Sequence, residues 1–229
     1  ASSDGDIITI QQDGSTVGTL GATGDDVYLA SPSGSDAGIR LGNNIIRPCT
    51  TTGGSRDNAI DLGKSDTRFK DLYLGGNLYI GGTGSANALS DYEQGTWTPV
   101  LGRSSSNPSF TYTEQSGAYI KIGNMVWATF DVTANSGSGG SGAAQIQGLP
   151  FTVTNDNADM AGYSRAVFRS ASIVPSGSAG DQINGYAQRN ATYLPLERQS
   201  SGTSGYATSG DFNGWNASGR ITGYIIYSV

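Results

Sequence analysis

The 229-residue sequence has no histidine, one cysteine and few charged residues, and each shortage excludes a class of protein. Without histidine there is no Ser-His-Asp triad and no imidazole ligand for zinc. A single cysteine, Cys49, cannot form a disulfide within the chain. A net charge of -6 argues against binding nucleic acid through bulk charge. No apolar run approaches the roughly 20 residues of a membrane-spanning helix, so we expect neither a nucleic-acid partner nor membrane insertion.

Glycine, by contrast, occupies 35 positions, mostly between short apolar runs. Apolar runs separated by glycine, serine and asparagine are typical of short strands joined by tight turns. Helical periodicity is nearly absent. The 12 Tyr and 3 Trp are residues that disordered sequences lack. The sequence therefore predicts an ordered, all-β fold.

The two ends of the chain differ in charge and in aromatic content. Residues 1–84 carry a net charge of -4 and four aromatic residues, whereas residues 97–229 are formally neutral and hold sixteen. Single β-ribbons are marginally stable alone, so we expect residues 1–84 to order as a β shaft intertwined with other copies of the chain. Residues 97–229 have the material for a globular head.

The connector over residues 85–96 is the one segment with helical features. Ser85 is a suitable N-cap, Gly95 is a suitable terminator, and apolar residues between them recur at three-residue spacings. This pattern predicts a short helical neck between the shaft and the head. Leu72 to Ile80 in turn predicts a strand–turn–strand unit within the shaft.

Two dipeptides, Asp13-Gly14 and Gly123-Asn124, are typical of two-residue hairpin turns. After the second turn, alternate residues share a face, as in a half-buried strand. The set predicted to face the core is Val126, Ala128, Phe130 and Val132. The set predicted to face away from it is Met125, Trp127, Thr129 and Asp131. With several further strand candidates up to Val229, this pattern predicts an antiparallel, jelly-roll-like β-sandwich for residues 97–229.

Several stretches resemble the tail fibres of tailed bacteriophages. The longest is Asp61–Leu74. The shorter stretches are Gly81–Asn87, Leu89, Asp91–Glu93, Gly95–Val100, Tyr119–Asn124 and Gly148–Phe151. The resemblance implies the distal, C-terminal part of a homotrimeric fibre on the virion, joined to other tail proteins. It also implies a head that binds a bacterial surface polysaccharide, lipopolysaccharide or outer-membrane protein.

Receptor contact requires aromatic and planar polar side chains, which concentrate late in the chain. The first predicted group lies in a Gly/Ser-rich stretch and consists of Tyr206, Asp211, Phe212, Asn213, Trp215 and Asn216. The alternative is that Phe212 and Trp215 cover the core of the sandwich as a lid. A second predicted group comprises Arg189, Tyr193 and Arg198, for which ordinary strand alternation is the alternative.

Catalytic and metal-binding residues are not predicted. The chain has only three glutamates, Asp156 and Asp159 lie in a solvated loop, and no acidic cluster has the spacing of a full calcium loop. We therefore expect no enzymatic activity, no cofactor and no metal site within one chain, while an ion on the axis of a trimer stays open. Two alternatives stay open, a tailspike that cleaves surface polysaccharide and a purely structural fibre or baseplate segment.

Overall fold

A computed structural model of the chain is all-β, which confirms the predicted fold class. The residues that it describes form nineteen strands and one short 3₁₀ helix. They divide into two compact units, Ala1–Tyr73 and Leu74–Val229. No helix among them is long and apolar enough to cross a membrane. The described residues are 4–32, 36–155, 164–171, 174–175, 182–200, 203–206, 212–213 and 219–229.

The first unit contains one antiparallel sheet in which the strands follow their order along the chain. Its strands are β1 (Gly5–Gln12), β2 (Ser15–Thr23), β3 (Asp26–Ala30), β4 (Gly38–Gly42) and β5 (Ile45–Cys49). The turn predicted at Asp13-Gly14 joins β1 to β2. Both of its residues have positive φ, 51° and 79°, as the favoured two-residue hairpin turn requires.

One face of this sheet carries the small core of the first unit. Tyr28 is 1% exposed and donates a hydrogen bond to Asp6 at 2.8 Å. Burial and this hydrogen bond raise the pKa of Tyr28 to about 12. Asp26 accepts hydrogen bonds from Arg40 at 2.7 Å and from Arg47 at 2.6 Å. Burial alone would raise the pKa of Asp26, but the two guanidinium groups outweigh burial and lower it.

The opposite face of the same sheet is apolar and exposed. Direct pairing places Leu29 between Leu20 and Ile39, and a second row runs beside them through Val27. We call seven side chains on this side, each between 43% and 76% exposed, the apolar face: Ile8, Ile10, Val27, Leu29, Ile39, Leu41 and Ile46. A contiguous exposed apolar patch of this kind marks a surface that another surface covers.

Two local predictions near the junction of the units are wrong. Leu72 to Ile80 is not a hairpin, because Leu78–Tyr79 (β6) pairs with Ala88–Leu89 (β7) instead. The neck is not an α-helix: its only helical part is the 3₁₀ turn Ser85–Asn87, which has no side-chain cap. Glu93–Trp97 (β8) is extended because its backbone pairs with the strand that ends at Ile122. Strand pairing therefore outweighs the weak helical preference of so short a segment.

The second unit contains two larger antiparallel sheets and two small ones. Besides β6, β7 and β8, its strands are β9 (Val100–Arg103), β10 (Ser109–Ile122), β11 (Met125–Ser138), β12 (Ala144–Gln147), β13 (Val167–Ala171), β14 (Val174–Pro175), β15 (Gln182–Gly185), β16 (Tyr193–Ser200), β17 (Thr203–Tyr206), β18 (Phe212–Asn213) and β19 (Gly219–Ser228). Sheet I has the order β13-β19-β11-β10-β8, and sheet II has the order β15-β16-β12-β9 with β17 added beside β16. β14 pairs with β18.

The core of the second unit lies between sheets I and II. Sheet I contributes Ile221 and Ile225, and sheet II contributes Leu101, Ile146 and Leu194, all completely buried in one cluster. The predicted turn at Gly123-Asn124 joins β10 to β11. The predicted inward set is also confirmed, since each member is at most 3% exposed: Val126, Ala128, Phe130 and Val132.

Candidate functional site

The outer face of sheet I carries exposed aromatic side chains. Because β11 alternates, Trp127 points away from the core and is 50% exposed. Tyr224 on the neighbouring β19 is 40% exposed, and its ring centroid lies 6.3 Å from that of Trp127 at an interplanar angle of 78°. Ile120 and Ile226 lie directly opposite Trp127 on its two flanking strands. These four side chains form an apolar platform on the surface.

A shallow groove of about 640 Å³ runs along the same face, lined in part by Tyr224. Most of the other residues that line the groove have small side chains or carry a hydroxyl group. Thr96 pairs with Ala118, which in turn pairs with Thr129. Ser116 and Thr222 continue this lining on the next row.

Two glycines bring the strands and rings under the groove close together. A Cβ at Gly223 would lie 2.2 Å from the carbonyl oxygen of Val167, and a Cβ at Gly117 would lie 2.4 Å from Nε1 of Trp97. Both distances are too short for any side chain. Larger residues at these positions would therefore disturb the floor of the groove.

Charged groups at one side of the groove are held by a bidentate ion pair. Nε of Arg220 donates to Oδ1 of Asp131 at 2.9 Å, and Nη2 donates to Oδ2. The hydrogen bond and the charge of Asp131 raise the pKa of Arg220. Exposed ion pairs contribute only about 0–1 kcal/mol to stability. We therefore interpret this pair as fixing the orientation of two polar groups at the groove.

The groove and platform together have the chemistry of a carbohydrate-binding surface. Exposed aromatic rings offer apolar faces on which the C–H face of a sugar ring can lie. Hydroxyl, carboxylate and guanidinium groups beside them donate and accept the hydrogen bonds that sugar hydroxyls need. The outer face of sheet I presents both kinds of group at adjacent positions.

The first predicted receptor group lies only partly within the described residues. Tyr206 ends β17, which pairs with β16, and Phe212 and Asn213 form β18. The rest of the group lies outside the described residues: Asp211, Trp215 and Asn216. The choice between a receptor contact and a lid over the core therefore stays a prediction.

The structure does not bring the second predicted group onto one face. Tyr193 and Arg198 both lie in β16 but are an odd number of positions apart, so they point to opposite sides of the strand. Arg198 shares its side with the buried Leu194 and Leu196. Arg189 precedes the strand in a turn.

The sequence-based site prediction missed Trp127, Tyr224, Asp131 and Arg220. A signal was present, because the alternation of β11 places Trp127 and Asp131 on the side away from the core. A tryptophan on the solvent side of a strand is a more direct indication of a surface contact than a cluster of aromatic residues along the sequence. In the described ranges, no three or more Asp, Glu, Cys or His residues come close enough to hold a metal ion.

Comparison with known proteins gives one structural similarity. No protein-family model and no curated protein matches the chain. Among solved structures, the Dettilon tailspike protein matches part of the chain, with 19% sequence identity and a TM-score of 0.44. The match covers 58% of this chain and 23% of the tailspike chain, so this chain spans under a quarter of that protein.

This match corrects one expectation. The sequence predicted a protein without enzymatic activity. A tailspike that cleaves polysaccharide was the alternative to that prediction. The similar structure is a tailspike, so the prediction of a non-enzyme is overturned.

Proposed function

We propose that this chain is the host-binding part of a bacteriophage tail protein, a tail fibre or a tailspike, that attaches the virion to a bacterial surface. The observation that carries the proposal is the outer face of sheet I. There Trp127 and Tyr224 lie beside a groove that also holds the Asp131–Arg220 pair. The resemblance of Asp61–Leu74 and of the shorter stretches to phage tail fibres supports the same proposal.

We further propose that the chain acts as a homotrimer in which copies bury the apolar face. The first unit supports this proposal because its own core is small, with only Tyr28, Ala30 and Cys49 fully buried among its described apolar residues. The apolar face meanwhile leaves seven large side chains in water. Burying them against other copies would supply the stability that the unit lacks. The predicted division into a shaft (1–84), a neck (85–96) and a head (97–229) belongs to this proposal, without a helix in the neck.

The proposed partners are a bacterial surface polysaccharide, lipopolysaccharide or outer-membrane protein, together with other tail proteins of the virion. Three copies would present three grooves, and several fibres or spikes on one particle would multiply them. Linked weak contacts of this kind give firm attachment through effective concentration. The Gly/Ser-rich stretch around Tyr206 and Trp215 remains a second proposed contact.

A binding experiment with matched variants tests the proposal. The purified full chain is fluorescently labelled and titrated onto a panel of bacterial strains, before and after chemical or enzymatic removal of surface glycans. We expect saturable binding to at least one strain and a large loss of binding after stripping. Trp127→Ala should weaken binding, whereas Met125→Ala, two residues earlier on the same side of β11, should not. Equal binding by both variants would remove the platform from the site.

The same preparation separates binding from cleavage. The chain is incubated with polysaccharide from a strain that it binds, and reducing ends are measured over time. Release of oligosaccharide would identify a cleaving tailspike. Binding without release would identify attachment alone. Absence of binding to every strain, in a protein that is folded, would contradict the proposed function and favour a structural segment of the tail.

A further inference from the structure

Arg103, the last residue of β9, is a buried cation without a counter-ion among the described residues. Its side chain belongs to a residue that is only 5% exposed. Nη1 reaches the carbonyl oxygen of Gly140 at 3.5 Å, while Nε and Nη2 have no hydrogen-bond partner in the described part of the chain. Burial lowers the pKa of Arg103, yet a guanidinium group stays protonated in proteins. An unpaired buried charge is costly unless an anion compensates it.

The two loops beside Arg103 contain no acidic residue. These loops, 104–108 and 139–143, contain only serine, asparagine, proline, glycine and alanine. They are joined by backbone hydrogen bonds between Ser106 and Ser141 at 3.0 and 3.2 Å. A Cβ at Gly140 would lie 2.8 Å from Cδ of Arg103, so glycine is needed where this backbone covers the arginine.

Amide side chains hold the backbone of Arg103 in place. Oδ1 of Asn107 accepts a hydrogen bond from the backbone N–H of Arg103 at 2.9 Å. Nδ2 of Asn107 donates to Oε1 of Gln147 at 2.9 Å, and Nε2 of Gln147 donates to Oε1 of Gln145, also at 2.9 Å. The position of the arginine is therefore determined by a polar network built around its own strand.

The unpaired atoms of Arg103 form the edge with which arginine binds carboxylates. In the same unit, Arg220 uses its Nε and Nη2 to hold both carboxylate oxygens of Asp131. The spacing and planarity of this edge match the two oxygens of a carboxylate. Arg103 has the same edge without such a partner among the described residues.

We propose that Arg103 binds the carboxylate of an acidic sugar in the host-surface glycan. This inference rests on the proposed function and adds a second contact, on sheet II and apart from the groove and platform of sheet I, with a stated chemical class of ligand. The serine and amide groups beside Arg103 suit sugar hydroxyls. Entry requires displacement of the covering loop, in which Gly139, Gly140 and Gly142 have positive φ of 76°, 79° and 95°.

Thermal unfolding of the full chain tests the inference with sodium glucuronate as the probe. Glucose at the same concentration, with sodium chloride to match ionic strength, is the neutral comparison. We expect glucuronate to raise the unfolding midpoint of the wild type, because a ligand that binds only the folded state stabilises it. Glucose should not raise it. Arg103→Met should abolish the response, and Arg103→Lys, which lacks the planar edge, should weaken apparent affinity at least tenfold.

The ligand-free proteins provide a second readout. Since methionine removes an uncompensated buried charge, Arg103→Met should unfold at or above the wild-type midpoint without ligand. The matched control is Arg165→Met, which removes an exposed arginine paired with Glu197 at 2.7 Å. That variant should keep the full response to glucuronate. The weaker glucuronate response expected of Arg103→Lys is a further readout that does not depend on the stability of Arg103→Met.

Three results would overturn the inference. A lower ligand-free midpoint for Arg103→Met would mean that the folded protein or another copy supplies the counter-ion. An equal glucuronate response in wild type and Arg103→Met would place the anion elsewhere. A response to inorganic phosphate but not to glucuronate would exclude the carboxylate class. Cell binding is measured separately: binding to cells without a glucuronate response contradicts only this inference, and a response without cell binding contradicts only the proposed function.

Discussion

Replacement of Leu29 by serine tests whether copies of the chain bury the apolar face. Leu29 is 53% exposed and lies in the middle of a row of apolar side chains. Full burial of leucine stabilises by about 1.5–3 kcal/mol, so the exposed half still offers about 0.8–1.5 kcal/mol per copy. Three copies would then lose about 2–5 kcal/mol per trimer. In a lone chain the same substitution would cost only the contribution of the half that is already buried, about 0.7–1.4 kcal/mol.

The assay combines light scattering with denaturant unfolding at several protein concentrations. We expect the wild type to have a mass three times 23.6 kDa, about 71 kDa. Leu29→Ser should raise the protein concentration below which the trimer dissociates. It should also lower the denaturant concentration at which the protein unfolds. Leu62→Ser is the matched control, because Leu62 is 77% exposed but lies outside the sheet. A wild-type mass of 23.6 kDa, or equal stability of the two variants, would mean that copies of the chain do not bury the apolar face.

Three further predictions concern the core, the pH dependence and the platform. Leu101→Ala should cost about 2–5 kcal/mol in denaturant unfolding because its buried side chain leaves a cavity, whereas Met125→Ala on the outer face should cost about 0.5 kcal/mol or less; similar costs would contradict the sandwich. The lowered pKa of Asp26 means that its stabilisation is complete above 3.8 and is lost as pH falls through the lower folded value; thermal unfolding from pH 6 to pH 2 should show this loss in the wild type but not in Asp26→Asn. Trp127→Ala should keep the wild-type unfolding midpoint while losing about 2 kcal/mol of binding to a recognised strain, about thirtyfold in affinity; loss of folding would instead assign Trp127 to the core.

Local sequence rules were sufficient for the strands whose turns and faces are encoded nearby. The two turns need only the positive φ that Asp13, Gly14 and Gly123 adopt, and both turns form as predicted. The alternation after Gly123-Asn124 likewise separates the buried Phe130 from the exposed Trp127. The 85–96 neck was misjudged because its backbone partners lie elsewhere in the chain. Glu93–Trp97 becomes a strand only through pairing with β10, which no local pattern reveals.

The candidate site depends on pairings between distant residues, and the sequence-based predictions relied on clusters along the chain. Asp131 and Arg220 are 89 residues apart and meet only because β11 and β19 are neighbours in sheet I. Trp127 meets Tyr224 through the same pairing. That Nε and Nη2 of Arg103 have no hydrogen-bond partner in the described part of the chain is equally invisible in the sequence, because it depends on which groups the fold brings to its guanidinium.

Binding of the bacterial surface through the outer face of sheet I can be measured in a competition experiment. Purified surface polysaccharide from a recognised strain is titrated into the full chain while the fluorescence of its tryptophans is followed, with Trp127→Phe as the comparison. We expect a saturable change in the wild type that is lost in Trp127→Phe, at concentrations that also block binding to cells. An unchanged signal in a folded protein that still binds the cells, or an identical change in both proteins, would contradict binding through this face.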